Sequence, residues 1–414
     1  MSIIRPFPAV RPAKEKAHLI AALPYDVMNS DEAREMVKDN PLSFLHVDKA
    51  EIDLPKEINL YDEKVYQKAK ENLYSLIDNK HLIKEEKPCL YLYQQVMNGH
   101  AQTGLVAGSS IEEYEKDLIK KHEFTRADKE ADRIKHVDTL NAQTGPIFLT
   151  YRAQKNITDK MNELMKNPPL YDFTAEDDVK HIVWRIEKDE DIQYFMDRFK
   201  EIECLYIADG HHRCASAVRV GQRRKAANPN HTGKEEYNTF LSVIFPHDQL
   251  AIYDYNRIVK DLNGFTEEEF MNKVAEKFTI EEYAKDEPYR PEATHKFGMY
   301  MNKKWYILTA KKGTFDANDL VAALDVSIMQ NNLLNPILGI GDPRTDNRID
   351  FIGGIRGLGE LSRRVDAGEA VAFSMHPTSI EELMNIADAG KIMPPKSTWF
   401  EPKLRSGLLI HLLS

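Results

Sequence analysis

The sequence has no apolar run of about eighteen residues or more, so nothing in it reads as a membrane-crossing helix. Its start, Met-Ser-Ile-Ile-Arg-Pro-Phe-Pro, lacks the apolar centre of a secretory signal. Cysteine is scarce: Cys89, Cys204 and Cys214 are too few and too scattered for a disulfide framework, which fits a reducing compartment and leads us to expect a cytoplasmic protein. There is no basic excess. Lys plus Arg number 56 against 66 Asp plus Glu, a net charge of −10, so the chain has no global field for an anionic membrane and a nucleic-acid partner is not expected. The Gly-x-x-x-x-Gly-Lys-Ser/Thr loop is absent, as is the protein-kinase set. Gly339-Ile340-Gly341-Asp342-Pro343-Arg344 misses the third glycine of a dinucleotide loop and carries Pro343 where a helix would begin. It reads as a turn, with Asp342, Arg344 and Arg348 as candidate neighbours of a ligand.

What remains suits a folded enzyme. The 414 residues are 42% hydrophobic, enough for sizeable cores. Val65, Ala69, Leu73, Leu76 and Ile77 recur at helical spacing and predict a helix over 64–82. The runs 90–93 and 105–107 flank Asn98-Gly99, the pair suited to a type I′ hairpin turn. The polar interval 109–144 reads as a solvated stretch containing a long loop, a common home for catalytic groups. Strands are expected at 146–151, 204–208, 240–245 and 305–308, with helices at 189–200, 214–227 and near 318–334. We expect an α+β fold in three portions that pack together: 1–150 contributing to a pocket, 151–280 as the core, and 281–414 as a C-terminal α+β portion.

The densest chemistry lies in Tyr206-Ile207-Ala208-Asp209-Gly210-His211-His212-Arg213-Cys214-Ala215, an apolar strand breaking into a turn and then an Ala-rich helix. Gly210 permits close backbone approach, and the following N–H groups open a helix whose positive end favours an anion. Arg213 adds a planar, permanently charged fork for phosphate oxygens, and His211 and His212 add donors. Asp209 is suited to hold a metal or to position a hydroxyl. Taken singly, Asp-Gly is an ordinary turn and a His pair an ordinary cap. Together they predict a phosphate site. A zinc reading through Cys214 and the histidines has no Cys-x-x-Cys partner.

Asp209-Gly210-His211-His212-Arg213 with its helix resembles the signature of the ParB/sulfiredoxin superfamily, in the form found in free serine kinases. Arg5-Pro6-Phe7, Leu23-Pro24-Tyr25-Asp26-Val27, His122-Glu123-Phe124-Thr125, Thr144-Gly145-Pro146 and Met393-Pro394-Pro395-Lys396-Ser397-Thr398-Trp399-Phe400 with Pro402-Lys403 resemble a larger bacterial and archaeal family of unknown-function proteins related to those kinases. The resemblance implies a mixed-sheet ParB/sulfiredoxin-like core and a Mg²⁺-dependent phosphotransferase acting on the hydroxyl of free serine, with O-phosphoserine as product. It carries the general base to Glu123, which read alone is equally an exposed salt-bridging residue. Phosphoryl transfer needs a cradle for phosphates, a neutralising cation and a carboxylate for the hydroxyl proton. Gly210, His211, His212 and Arg213 are the expected cradle, Asp209 the contact to Mg²⁺ or to the hydroxyl, and Tyr25, Asp26, His122, Arg126 and Arg133 the candidate substrate contacts. The acceptor's carboxylate needs an arginine, and Arg5, Arg126, Arg133 and Arg344 remain open. So does the donor among ATP, ADP and pyrophosphate. The alternative is a nucleotide- or phosphate-binding regulator of ParB-like ancestry without turnover, with Arg219, Arg223, Arg224 and Lys225 as a basic patch or a plain solvent face.

Overall fold

Asn98 and Gly99 both take left-handed backbone, with φ of 53° and 78°, and fold the chain into the antiparallel hairpin their tolerance for that region predicts. The computed structural model describes residues 2–414, and in it this hairpin is the middle of a nine-stranded mixed sheet. The strands are β1 (Ile4–Arg5), β2 (Leu90–Met97), β3 (His100–Ser110), β4 (Ile119–Lys120), β5 (Ile147–Tyr151), β6 (Tyr171–Thr174), β7 (Lys180–Ile186), β8 (Leu205–Asp209) and β9 (Thr239–Pro246). They lie in the order β4-β8-β5-β9-β3-β2-β7-β6, with β1 beside β3. The β8–β4 and β9–β5 pairs are parallel, and the others are antiparallel.

Strands from 1–150 are thus hydrogen-bonded to strands from 151–280, because β9 pairs with both β3 and β5. The chain forms two compact units: the first runs through Leu250 and also takes Pro402–Ser414, and the second is Ala251–Glu401. In the first unit, Leu92, Leu105, Ile147, Leu149, Phe240 and Ile244 make the sheet's core. Its helices include α1 (Glu63–Asp78), α2 (Ala127–Leu140), α3 (Lys155–Leu164), α4 (Asp189–Phe199) and α5 (His211–Ala227). The second unit has its own antiparallel sheet of six strands and a core around Ile258, Trp305 and Leu361.

Two expectations need correction. Part of the polar interval 109–144 is the helix α2: Ile134, Val137 and Leu140 recur at a spacing of three and supply its inward stripe, which the surrounding charges mask in sequence. The helix expected near 318–334 is confined to Asp325–Leu334, the second half of it a π turn. Upstream, Asp319 Oδ1 accepts the N–H groups of Val321 and Ala322 at 2.8 and 2.9 Å, a local bond that competes with helix formation.

The tail returns to the first unit as an edge partner. Val10 exchanges backbone hydrogen bonds with Ile410 and Ala22 with Ser406, and His411–Leu412 pairs with Ala142–Gln143. Gln95 Nε2 donates to the Lys403 carbonyl at 2.9 Å, fixing the height at which Lys403 leaves the tail.

Two stability predictions arise here. Gly221 lies inside α5, where helix propensity alone favours alanine by about 1 kcal/mol. A Cβ at 221 would sit 2.2 Å from Ile111 Cδ1 and 2.5 Å from the Tyr237 carbonyl oxygen. Gly221→Ala is therefore expected to destabilise by roughly 1–3 kcal/mol, as read by chemical denaturation. A gain in stability would mean that helix and loop separate freely.

Glu113 is 3% exposed; its Oε2 accepts the Ile3 N–H at 2.8 Å, while Oε1 has no partner. Burial, partly offset by that hydrogen bond, pushes its carboxyl up to about 7. An acid whose folded pKa exceeds its unfolded one favours folding at low pH and costs stability as pH rises through the folded value. Glu113→Gln should thus gain on the parent by up to about 3 kcal/mol between pH 4.5 and 8, read from denaturation midpoints across that range. A pH-independent difference would contradict it.

Candidate active site

The site begins with an irregularity in β8. Ile207 pairs with Leu149 and Asp209 with the next residue, Phe148, so Ala208 is an extra residue in the ladder, a bulge that re-aims Asp209 at the strand's end. Gly210 follows in left-handed backbone, φ 90°, and starts α5. A Cβ there would lie 3.1 Å from the Arg213 guanidinium, so only glycine lets that side chain fold back over the turn. The first turn of α5 has no acidic residue and no side-chain cap, so its opening N–H groups are not taken up by a capping side chain.

Asp209 Oδ1 accepts the Gly210 N–H at 2.8 Å, and Oδ2 accepts Lys403 Nζ at 3.1 Å. Burial would raise its pKa, but the charges of Lys403 and Arg213 outweigh this and hold the carboxyl well below the usual carboxylate range. The residue expected to bind a metal therefore has both oxygens engaged, one with an ammonium group. Arg213 Nη1 donates to the Pro146 carbonyl at 2.6 Å, while its Nε has no partner. Burial disfavours its charge, but Asp26, Asp209 and Tyr25 compensate and it stays ionised. The Thr144-Gly145-Pro146 motif acquires a reason here: a Cβ on Gly145 would meet Ser406 Oγ at 2.9 Å.

His122 and His211 meet edge to face, ring centroids 4.5 Å apart, both almost fully buried. Burial lowers the His122 imidazole to about 4 and keeps His211 well below its ordinary value, so both are neutral at physiological pH. Glu123 Oε2 lies 3.9 Å from His211 Nδ1, with 43% of its side chain exposed. His212 Nε2 accepts the Arg126 N–H at 3.0 Å. Buried Cys214 packs in the core, and burial pushes its thiol far up, so it is a hydrophobe and not a nucleophile.

Beside Arg213 opens a cleft of about 470 Å³, solvent mouth included, lined among others by Tyr25, Asp48, Arg133, His136 and Thr144. The Arg133 guanidinium lies 4.1 Å from the centre of the Tyr25 ring and is held by Asp132 at 2.8 Å. Thr144 Oγ1 donates to the buried Asp48 at 2.7 Å. His136 is driven down to about 4, first by burial and then by Arg133.

Of the candidates, His122, Glu123, Asp209, Gly210, His211, His212 and Arg213 gather at the turn, and Tyr25 and Arg133 line the cleft. Asp26 is exposed and reaches Arg213 and His212 through its charge. Arg126, at the start of α2, donates to the Asp128 carboxylate through Nη2 at 2.9 Å, an exposed pair. Arg5 donates to the Gly233 carbonyl at 2.9 Å, and Arg344 folds onto Asp342 at 2.8 Å. Arg219 and Arg224 face Glu130 and Asp138 of α2, so half of the suspected basic patch is paired. Sequence reasoning missed Lys403, Asp48 and Thr144 as site residues. Lys403 and Thr144 had a signal in the family-like motifs; Asp48 had none.

No helix among the described residues is long and apolar enough to cross a membrane. Among solved structures, a free serine kinase in complex with AMP is 16% identical, over 69% of this chain and 84% of that one, with a TM-score of 0.35. A conserved hypothetical protein from Pyrococcus furiosus is 14% identical, over 72% and 93%, with a TM-score of 0.36. SbnI with a C-terminal truncation, from Staphylococcus aureus, is 13% identical, over 74% and 87%, with a TM-score of 0.39. No curated protein matches the chain. The family of proteins of unknown function DUF1015 matches residues 4–327, and the chain belongs to that family.

Proposed function

We propose that the protein is a small-molecule phosphotransferase that moves a phosphoryl group from ATP, ADP or pyrophosphate to the hydroxyl of free serine, on a ParB/sulfiredoxin-like strand–turn–helix. The observation that carries this reading is the meeting of Glu123 with the Asp-Gly-His-His-Arg turn, 3.9 Å from His211, beside an uncapped helix N-terminus. A base for the hydroxyl proton and a cradle for phosphate oxygens thereby come together, which is what this chemistry requires.

In this reading the N–H groups opening α5 and the Arg213 guanidinium hold the transferred phosphoryl group, and Lys403 adds a second cation. Glu123 takes the proton as the serine oxygen bonds to phosphorus and the bond to the donor's bridging oxygen breaks. Asp209 serves the turn by anchoring Lys403 and the Gly210 N–H. Arg133 pairs with the acceptor's carboxylate, and Asp48 with its ammonium group. Mg²⁺ bound with the donor would supply charge neutralisation, and with both Asp209 oxygens engaged the turn offers it no free carboxylate.

Phosphorus NMR of the protein with Mg²⁺ and L-serine, given ATP, ADP or pyrophosphate separately, tests this. O-phosphoserine from one donor is the expected result. Donor binding with no phosphorylated product from serine or other small hydroxy acids would overturn it in favour of a phosphate-binding regulator.

A further inference from the structure

We infer that His122, Glu123 and His211 form a binding site for one divalent transition-metal ion of the zinc and cobalt class, separate from any Mg²⁺ that arrives with a phosphoryl donor. One ligand atom from each residue falls within 4.8 Å of the others. Four-coordinate bonds of about 2.0–2.2 Å place neighbouring ligand atoms roughly 3.4 Å apart, so closure asks for a shift of about 1 Å. The arm that must move is Glu123, which is 43% exposed.

Independent support comes from the two imidazoles. His122 and His211 are 2% and 6% exposed, and each holds a buried ring nitrogen without a hydrogen-bond partner, Nδ1 on His122 and Nε2 on His211. An unpartnered polar atom inside a protein costs free energy that a ligand would recover. The other His122 nitrogen is tied to the Ile207 backbone, the outer contact that commonly fixes the tautomer and orientation of a metal-bound histidine. A ring gives one ion a single nitrogen: binding through His211 Nδ1, 3.9 Å from Glu123 Oε2, leaves the orphaned His122 Nδ1 as the atom that supports the site. Two neutral nitrogens and one carboxylate form a set that suits borderline ions, whereas Mg²⁺ prefers oxygen alone. With three protein ligands, the ion keeps an open position for water or an anion. If the phosphotransfer reading holds, an ion here also occupies the base, and transition metal then opposes turnover.

The test uses the full chain, stripped of metal and titrated with Co²⁺, followed by visible absorption and calorimetry without any phosphoryl donor. One equivalent is expected to bind with the intense visible bands of a low-coordinate Co²⁺ site, to be displaced by Zn²⁺ and to resist excess Mg²⁺. Glu123→Gln should weaken Co²⁺ binding by about ten-fold or more, and His211→Gln by more again. Circular dichroism checks the fold of both variants. Absence of stoichiometric uptake, displacement by Mg²⁺, or unchanged affinity in both variants would overturn the site. Because the readout contains no substrate, it stands or falls apart from the phosphotransfer assay.

Discussion

Glu123→Gln is expected to lower the kcat for serine phosphorylation by about 10²–10⁴-fold, the usual contribution of a positioned general base. Glutamine keeps the size and hydrogen-bonding oxygen of the side chain but cannot accept the hydroxyl proton at neutral pH. Donor binding should be nearly unchanged, since the groups proposed to hold the phosphates are the opening of α5, Arg213 and Lys403, not Glu123. Stability should move by less than about 0.5 kcal/mol, because the side chain is 43% exposed. The measurement is single-turnover phosphoryl transfer in buffer freed of transition metals, with donor affinity read separately by calorimetry. Parent-like turnover would remove Glu123 from catalysis and leave the turn as a binding device.

Much of this site was legible because its signals are local. Asp209 to Arg213 are consecutive, the apolar strand before them and the Ala-rich helix after them are ordinary patterns, and Gly210 marks the left-handed start of that helix. Asn98-Gly99 was legible for the same reason, since φ tolerance belongs to the residues themselves. What stayed hidden depends on distant packing. The Pro402-Lys403 motif marks the tail but not its partner: nothing in it indicates that the ammonium group lands on Asp209, and without that contact Asp209 reads as a free carboxylate open to a metal. Asp48 is another such case: it gains its place from Thr144, far along the chain. The α2 helix was obscured for a different reason, because three apolar positions among many charges give a weak stripe that becomes decisive only when α5 and α1 pack against it. The division into units followed the same logic. The portions 1–150 and 151–280 were expected to pack together, but only the fold shows the form this takes: β9 is inserted between β3 and β5 and makes them one sheet.

Lys403→Met should both destabilise the first unit and weaken use of the donor. The ammonium group neutralises an Asp209 carboxylate that burial disfavours, and its side chain is 11% exposed, so removing it strands a charge in a poorly solvated place. A loss of roughly 2 kcal/mol is expected at pH 7, less than for a fully buried pair because Asp209 keeps 31% of its side chain in contact with solvent. The sign of the pH dependence follows from the direction of the Asp209 shift. A carboxyl held below its unfolded pKa contributes stability above that unfolded value and loses the contribution as pH falls through the folded one. Parent and variant should therefore differ most above about pH 4 and converge as the medium is acidified further. Asp209→Asn, which keeps an acceptor for the Gly210 N–H, completes a double-mutant cycle; a coupling energy of about 1–3 kcal/mol is expected from denaturation midpoints. Coupling near zero would show that Lys403 serves the phosphates alone. Activity separates the two roles further: if Lys403 also neutralises the donor, the double variant regains stability but not turnover, whereas recovery of both would confine Lys403 to holding the turn.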